Sequence, residues 1–187
     1  MSRIAATFAA TWPAIRERAG DRLPPEVQAL GDRFPRLLPA LVAELAAAPR
    51  TLSHGDCRLD NMFFGPGGRV TLCDWQLTAR SCGARDLAYF LGQSLTPEDR
   101  ATLERPLIDC YLDRLATHGI DYDRSRAWHD YRVAALFAFV YPVVAGAGLD
   151  LDERSDRLAQ VILERCAAAL VDLGCATWGD RTGPLGL

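Results

Sequence analysis

The chain has 187 residues, 49% apolar and 24% charged, with a formal net charge of −3. That length suits one domain, able to bury roughly 70% of its unfolded surface without disulfides or metals, and the composition excludes wholesale disorder. The slight negative charge excludes a broad cationic face, so neither nucleic acid nor membrane is an expected partner.

Residues 1–50 read as helical. Thr11 followed by Pro13, and the pair Pro24–Pro25, look like helix starts. Leu37, Leu38, Leu41, Val42 and Leu45 form an apolar stripe at helical spacing, with Pro39 admissible only in a first turn. Met62 to Phe64, the turn Gly65-Pro66-Gly67-Gly68, and Arg69 to Asp74 predict a β-hairpin. Its glycines lie between two strands, so they do not form a phosphate loop. Helical patterning returns after Gly83. It covers about Asp86–Ser94, then a segment opened by Thr96, Pro97 and Glu98 that ends near Gly119. Two further helices are expected over about Asp123–Ala145 and Asp152–Leu173, the latter stopping near Gly174. Val133 to Leu149 carries no charge, and Pro142, Gly146 and Gly148 near its end favour a buried core helix over a membrane span. The expected fold class is mainly α with a small β-hairpin.

All 21 basic residues are Arg and none is Lys. Genome composition accounts for such a bias, but its consequence is chemical: a Walker A loop and Schiff-base catalysis are excluded. The six cysteines, Cys57, Cys73, Cys82, Cys110, Cys166 and Cys175, show no C-x-x-C spacing. They read as reduced thiols rather than a disulfide frame or a zinc site. Arg16, Glu17 and Arg18 interrupt any apolar leader, so a cytoplasmic location is expected.

The chemistry concentrates in Leu52-Ser53-His54-Gly55-Asp56-Cys57-Arg58-Leu59-Asp60-Asn61 and, beyond the hairpin turn, Leu72-Cys73-Asp74-Trp75-Gln76. Singly, each residue has a plain reading: Asp56 or Asp60 as a turn residue, Asn61 as a loop cap, His54 as a core histidine, Asp74 as a strand end. Jointly, an Asp, an Asn five residues on and a second Asp across a short hairpin form a phosphoryl-transfer layout. Mg²⁺ takes hard oxygen ligands, which Asn61 and Asp74 supply, leaving Asp56 for the attacking hydroxyl. Two carboxylates ~5 Å apart repel by roughly 3 kcal/mol at an effective dielectric of 20, so a cation suits the cluster.

The runs L-S-H-G-D-C-R-L-D-N-M-F-F-G, V-T-L-C-D-W-Q and R-D-L-A-Y-F-L resemble the aminoglycoside phosphotransferase superfamily, most closely its ecdysteroid-kinase-like branch. The resemblance is strong over about residues 50–95. It implies a protein-kinase-like fold, a nucleoside triphosphate (ATP or GTP) with Mg²⁺, and a small-molecule hydroxyl as substrate. Carried over by position, it makes Asp56 the catalytic base, Asn61 and Asp74 the metal ligands, and His54 the brace of the loop. Asp86 would cap its helix and tie to the loop backbone; on physical grounds alone it is an N-cap.

The implied organisation is a helical lead-in over 1–50 and a C-terminal-type lobe over 51–187. That lobe comprises a catalytic loop (52–61), a metal-binding hairpin (62–76) and a helical bundle (86–173). The family's N-terminal β-lobe and its lysine are not apparent, so the expected chain is incomplete by itself. It would need a missing lobe or associate with itself through an uncovered apolar patch. Its alternative is a catalytically inactive kinase-like binding module. A metal-dependent hydrolase would need more His or Asp ligands than this loop provides. Outside the loop, Asp150, Asp152, Glu153 and Asp156 form an acidic patch that reads as a solvated helix start. His118 and His129 read as surface or helix-terminal partners.

Overall fold

The computed structural model describes residues 3–145 and 153–179. The patch residues Asp150 and Asp152 and the side chain of Glu153 lie outside the described residues, as do the last four positions of the uncharged Val133–Leu149 stretch. Asp156 is described, and it pairs with Arg18 at 2.7 Å.

The architecture is mainly α. Two helices open it, α1 (Arg3–Ala19) and α2 (Pro25–Ala47). Short strands follow: β1 (Arg50–Ser53), β2 (Met62–Phe64), β3 (Val70–Leu72) and β4 (Ala79–Cys82). The rest is helical: α3 (Ala84–Ser94), α4 (Pro97–Thr117), α5 (Arg124–Ala138), α6 (Val140–Ala145) and α7 (Glu153–Asp172). Among the described residues no helix is long and apolar enough to cross a membrane.

Pro24 and Pro25 do open α2, but two proline expectations fail. Thr11 and Pro13 sit inside α1, where the Thr11 hydroxyl donates to the Thr7 carbonyl rather than capping a start. Pro35 and Pro39 both lie inside α2, well past its first turn. Each interior proline costs about 3 kcal/mol. Six side chains of α2 offset that by burying completely or nearly so: Val27, Leu30, Phe34, Leu38, Leu41 and Leu45, each worth about 1.5–3 kcal/mol. Val42, read as part of the stripe, points outward.

The core joins both ends of the chain. Phe8 stacks on Phe34 with centroids 4.7 Å apart, and Phe139 meets Phe34 edge-on at 5.5 Å. Gly31 lets α1 approach α2: a Cβ there would stand 2.1 Å from the Trp12 ring. The expected helix over 123–145 is split at Phe139 into α5 and α6. Pro142 accounts for the break, since it has no N–H for the carbonyl of Ala138. Asp123 caps α5 by accepting from Arg126 N. Thr96 caps α4 by accepting from Asp99 N at 3.2 Å.

The expected hairpin is present, with Met62 opposite Leu72 and Phe64 opposite Val70. A second antiparallel pair was not read from the sequence: β1 runs beside β4, Arg50 opposite Cys82 and Ser53 opposite Ala79. It closes the base of the segment 54–78 and leads directly into α3.

Candidate active site

The loop after β1 is fixed from the first turn of α3. The Asp86 carboxylate accepts from the Ser53 hydroxyl (2.9 Å), His54 N (2.7 Å) and Gly55 N (2.9 Å). Asp86 is therefore not the N-cap of α3; Gly83 holds that place, without a side-chain bond. The charge faces the loop, giving two backbone donors and a hydroxyl one shared acceptor. Gly55 sits at φ +85°, and a Cβ there would lie 2.3 Å from the Leu77 carbonyl oxygen. Glycine is required on both counts.

His54 links this loop to the far end of the hairpin. Its Nδ1 accepts from Asp56 N (3.3 Å), so its Nε2 carries the proton and donates to the Cys73 carbonyl at 2.8 Å. That fixes the tautomer. Its ring packs on Trp75, with centroids 4.6 Å apart. Across the same junction, Cys73 N donates to the Asn61 carbonyl at 3.0 Å. Residues on either side of Asp74 are thus bound to His54 and Asn61, which brings Asp74 to the mouth of the loop.

Asp56 and Asn61 are buried, at 8% and 7% exposure. The Asn61 amide Nδ2 donates to the Asp56 backbone carbonyl (2.9 Å) and to its carboxylate Oδ2 (3.0 Å). Arg58 Nε lies 3.5 Å from the other oxygen, Oδ1. Burial first, and then the nearby Asp56 carboxylate, raise the pKa of the Tyr89 hydroxyl, so it keeps its proton. Neither Arg58 nor Tyr89 was singled out from sequence. Tyr89 had a signal: it lies three residues after Asp86 and so shares its helix face.

Asp74 differs from its neighbours. It is exposed, and among the described residues it is the one non-glycine with positive φ (φ 60°, ψ 62°). The left-handed conformation costs roughly 1–2 kcal/mol and persists where surroundings hold it, as the Cys73 and Trp75 contacts do here. Among the described residues its carboxylate accepts a hydrogen bond only from Gln76 Nε2, at a long 3.5 Å. Asn61 Oδ1 receives no hydrogen bond from a described residue, because its amide nitrogen is the end turned toward Asp56. The site therefore presents two hard oxygen donors, Asn61 Oδ1 and the Asp74 carboxylate. That donor set fits Mg²⁺. No cluster of three or more His, Cys, Asp or Glu that could hold a metal occurs among the described residues.

The remaining candidates do not join this site. Cys57 lies beside it, but burial, then the charges of Asp86 and Asp56, push its thiol up to about 11, so it is no nucleophile. All six cysteines are free. His129 contacts Glu44 at 3.0 Å, and His118 is the C-cap of α4.

Comparison with known proteins gives one match. No curated protein and no solved structure is matched. The ecdysteroid kinase-like family matches over residues 1–121, which takes in α1, α2, the loop, both strand pairs, α3 and α4. The match thus reaches back through the helical lead-in, well beyond the motif-bearing segment. With the greater part of its length matched, the chain belongs to the ecdysteroid kinase-like family, within the kinase-like phosphotransferase superfamily.

Proposed function

We propose that this chain carries the catalytic half of a phosphotransferase that moves the terminal phosphate of ATP or GTP to the hydroxyl of a small molecule. The observation that carries this reading is the arrangement of Asp56, Asn61 and Asp74. A buried carboxylate is held by an amide whose other end, with an exposed carboxylate in a left-handed turn, offers oxygen ligands.

Asp56 is the acceptor of the substrate proton. As the substrate oxygen bonds to phosphorus and the nucleoside diphosphate leaves, the hydroxyl proton passes to the Asp56 carboxylate. Asn61 and Arg58 hold that carboxylate in one orientation. His54 and Asp86 fix the loop from below. Mg²⁺, held by Asn61 Oδ1 and Asp74, would supply neutralising charge for the phosphates. In this reading the loop 52–61 and hairpin 62–76 form the working edge, and the helices over 86–173 form its support.

The exposed apolar side chains Leu52, Phe63, Phe64, Val70 and Leu77 all belong to the short strands and the turn between them. Under this proposal they are the face on which a nucleotide-covering lobe docks, or through which copies associate when none is present. One observation favours the second reading, a kinase-like binding module without turnover: the sequence has no Lys to pair with nucleotide phosphates.

Transfer from radiolabelled Mg²⁺–ATP to a panel of small alcohols separates the two. In a version supplied with a nucleotide-binding lobe, Asp56→Asn is expected to slow transfer by about 10²–10⁴ while leaving Mg²⁺–nucleotide binding largely in place, whereas the chain by itself is expected to bind nucleotide weakly and to turn over little. Equal rates in Asp56→Asn and parent would remove Asp56 from the chemistry and leave the binding module.

A further inference from the structure

An opening of about 210 Å³ lies where the C-terminal end of α2, the β1–β4 pair, the first turn of α3 and the last turn of α5 meet. It shares no lining residue with the candidate active site. Val42, Leu45 and Phe137 give it an apolar side, and Arg50, Arg80 and Arg85 a cationic one. Among the described residues no carboxylate lines it.

The three arginines are differently engaged. Arg85 is fixed: it donates to the Ser81 hydroxyl at 2.9 Å and to the Tyr141 hydroxyl at 2.6 Å, and it lies over the Phe137 ring at 5.2 Å. All three contacts are to neutral groups, so its charge stands. Arg50 answers the carbonyl end of α2, donating to the Ala46 carbonyl at 3.2 Å. Arg80 is exposed and makes no hydrogen bond or ion pair with a described residue. It is a diagonal neighbour of Arg50 on the strand pair, Arg50 standing opposite Cys82 and Arg80 opposite Leu52. The carboxylates nearest in sequence on the surrounding helices are committed elsewhere. Glu44 of α2 meets His129, Asp86 of α3 holds the loop, and Asp130 of α5 takes Arg126 and Tyr122. Arg80 and Arg85 are thus left as neighbouring charges with no negative partner among the described residues, an arrangement that attracts an anion.

We infer that this opening binds a small organic phosphate monoester, its phosphate on Arg80 and Arg85 and its apolar body against Val42, Leu45 and Phe137. Charge selects the phosphate. A monoester carries about −1.5 to −2 at pH 7, which matches two unanswered guanidinium groups, whereas a carboxylate answers one. Guanidinium forks also fit phosphate oxygens in pairs. The apolar side selects an organic ester over the bare inorganic ion, which would leave that side wet. The volume falls below the roughly 300–1,000 Å³ of ordinary ligand pockets, so the body is no larger than one ring. The inference stands apart from the phosphotransfer reading, since no group of the candidate active site takes part.

The test titrates the full chain with phenyl phosphate, inorganic phosphate, benzoate and benzyl alcohol, following the amide NMR spectrum of the isotope-labelled protein. EDTA is present, so that no divalent cation contributes. Phenyl phosphate is expected to bind saturably, with shifts clustered at Ala46, Ser81 and Arg85 and not over 54–61. Inorganic phosphate, lacking the ring, and benzoate, lacking the second charge, should each bind at least about tenfold more weakly. Benzyl alcohol should not bind measurably. Arg80→Glu reverses an exposed charge and should abolish binding. Arg80→Lys keeps the charge without the fork and should weaken it about three- to tenfold. Val42→Ser should cut the advantage of phenyl phosphate over inorganic phosphate about threefold, so the inference stays testable if the glutamate variant does not fold. Phenyl phosphate binding that Arg80→Glu leaves unchanged, or shifts centred on 54–61, overturns the site. Inorganic phosphate or benzoate binding as tightly as phenyl phosphate overturns the ligand assignment.

Discussion

Phe34 and Phe64 are the same residue in two differently held parts of the molecule. Phe34 is fully buried in α2, stacked on Phe8 and edge-on to Phe139. Phe64 stands 68% exposed on a hairpin of three residues per strand. A two-stranded hairpin of that length is at best marginal alone. What holds it is polar and sits at its base: the Asn61–Cys73 backbone bond and the His54 imidazole on the Cys73 carbonyl. The helical body is thus stabilised by apolar area and the working edge by a few directed bonds. The edge can hold Asp74 in a strained turn because the body does not depend on it.

The largest expected effect tests the body. Phe34→Ala opens a cavity beside the Phe8 and Phe139 rings and should cost about 3–5 kcal/mol in urea unfolding. A loss under about 1 kcal/mol would mean that the aromatic cluster is not the centre of the core.

Next is the bond set joining the two regions. Asp86→Ala leaves the Ser53 hydroxyl and the amides of His54 and Gly55 without their acceptor. The expected cost is about 2–3 kcal/mol, with hydrogen exchange accelerated at His54 and Gly55 and not in α3. Unchanged exchange at those two amides would show that the loop is held by something else.

The same division explains what the sequence makes legible. Helices that bury a face announce it by spacing, and the Gly65–Gly68 turn announces the hairpin. The order Asp56, Asn61, Asp74 places the candidate site. The prolines mislead because tertiary burial in α2 outweighs a local penalty. The β1–β4 pair escapes because Arg-Thr-Leu-Ser and Ala-Arg-Ser-Cys carry no alternating apolar pattern. Which end of the Asn61 amide faces Asp56 is set by bonds within the loop, and the left-handed turn at Asp74 is flanked by long-range bonds to Cys73 that no local pattern encodes.

A smaller effect calibrates a purely local signal in the body. Thr96 caps α4, accepting from Asp99 N, as its Thr-Pro-Glu-Asp start suggests. Thr96→Ala should cost about 1 kcal/mol, and Thr96→Ser almost nothing. Equal melting temperatures for parent and Thr96→Ala would show the cap idle.

The smallest expected change in stability is at the edge, and it bears most directly on the contrast between Phe34 and Phe64. Replacing Phe63 and Phe64 together by Ser removes two large apolar side chains from positions already open to solvent. Surface changes of that kind usually stay within about 0.5 kcal/mol, so urea unfolding of the double variant should match the parent. Its association should not match. Leu52, Val70 and Leu77 are exposed as well, Val70 lying opposite Phe64 across the hairpin, and an apolar strip that includes this pair favours self-association when nothing covers it. Sedimentation velocity over a concentration series should therefore show the parent gaining mass as the concentration rises and the double variant remaining monomeric. Unfolding weakened by more than about 2 kcal/mol would mean that the hairpin belongs to the cooperative core after all. Identical sedimentation would mean that the strip does not drive association.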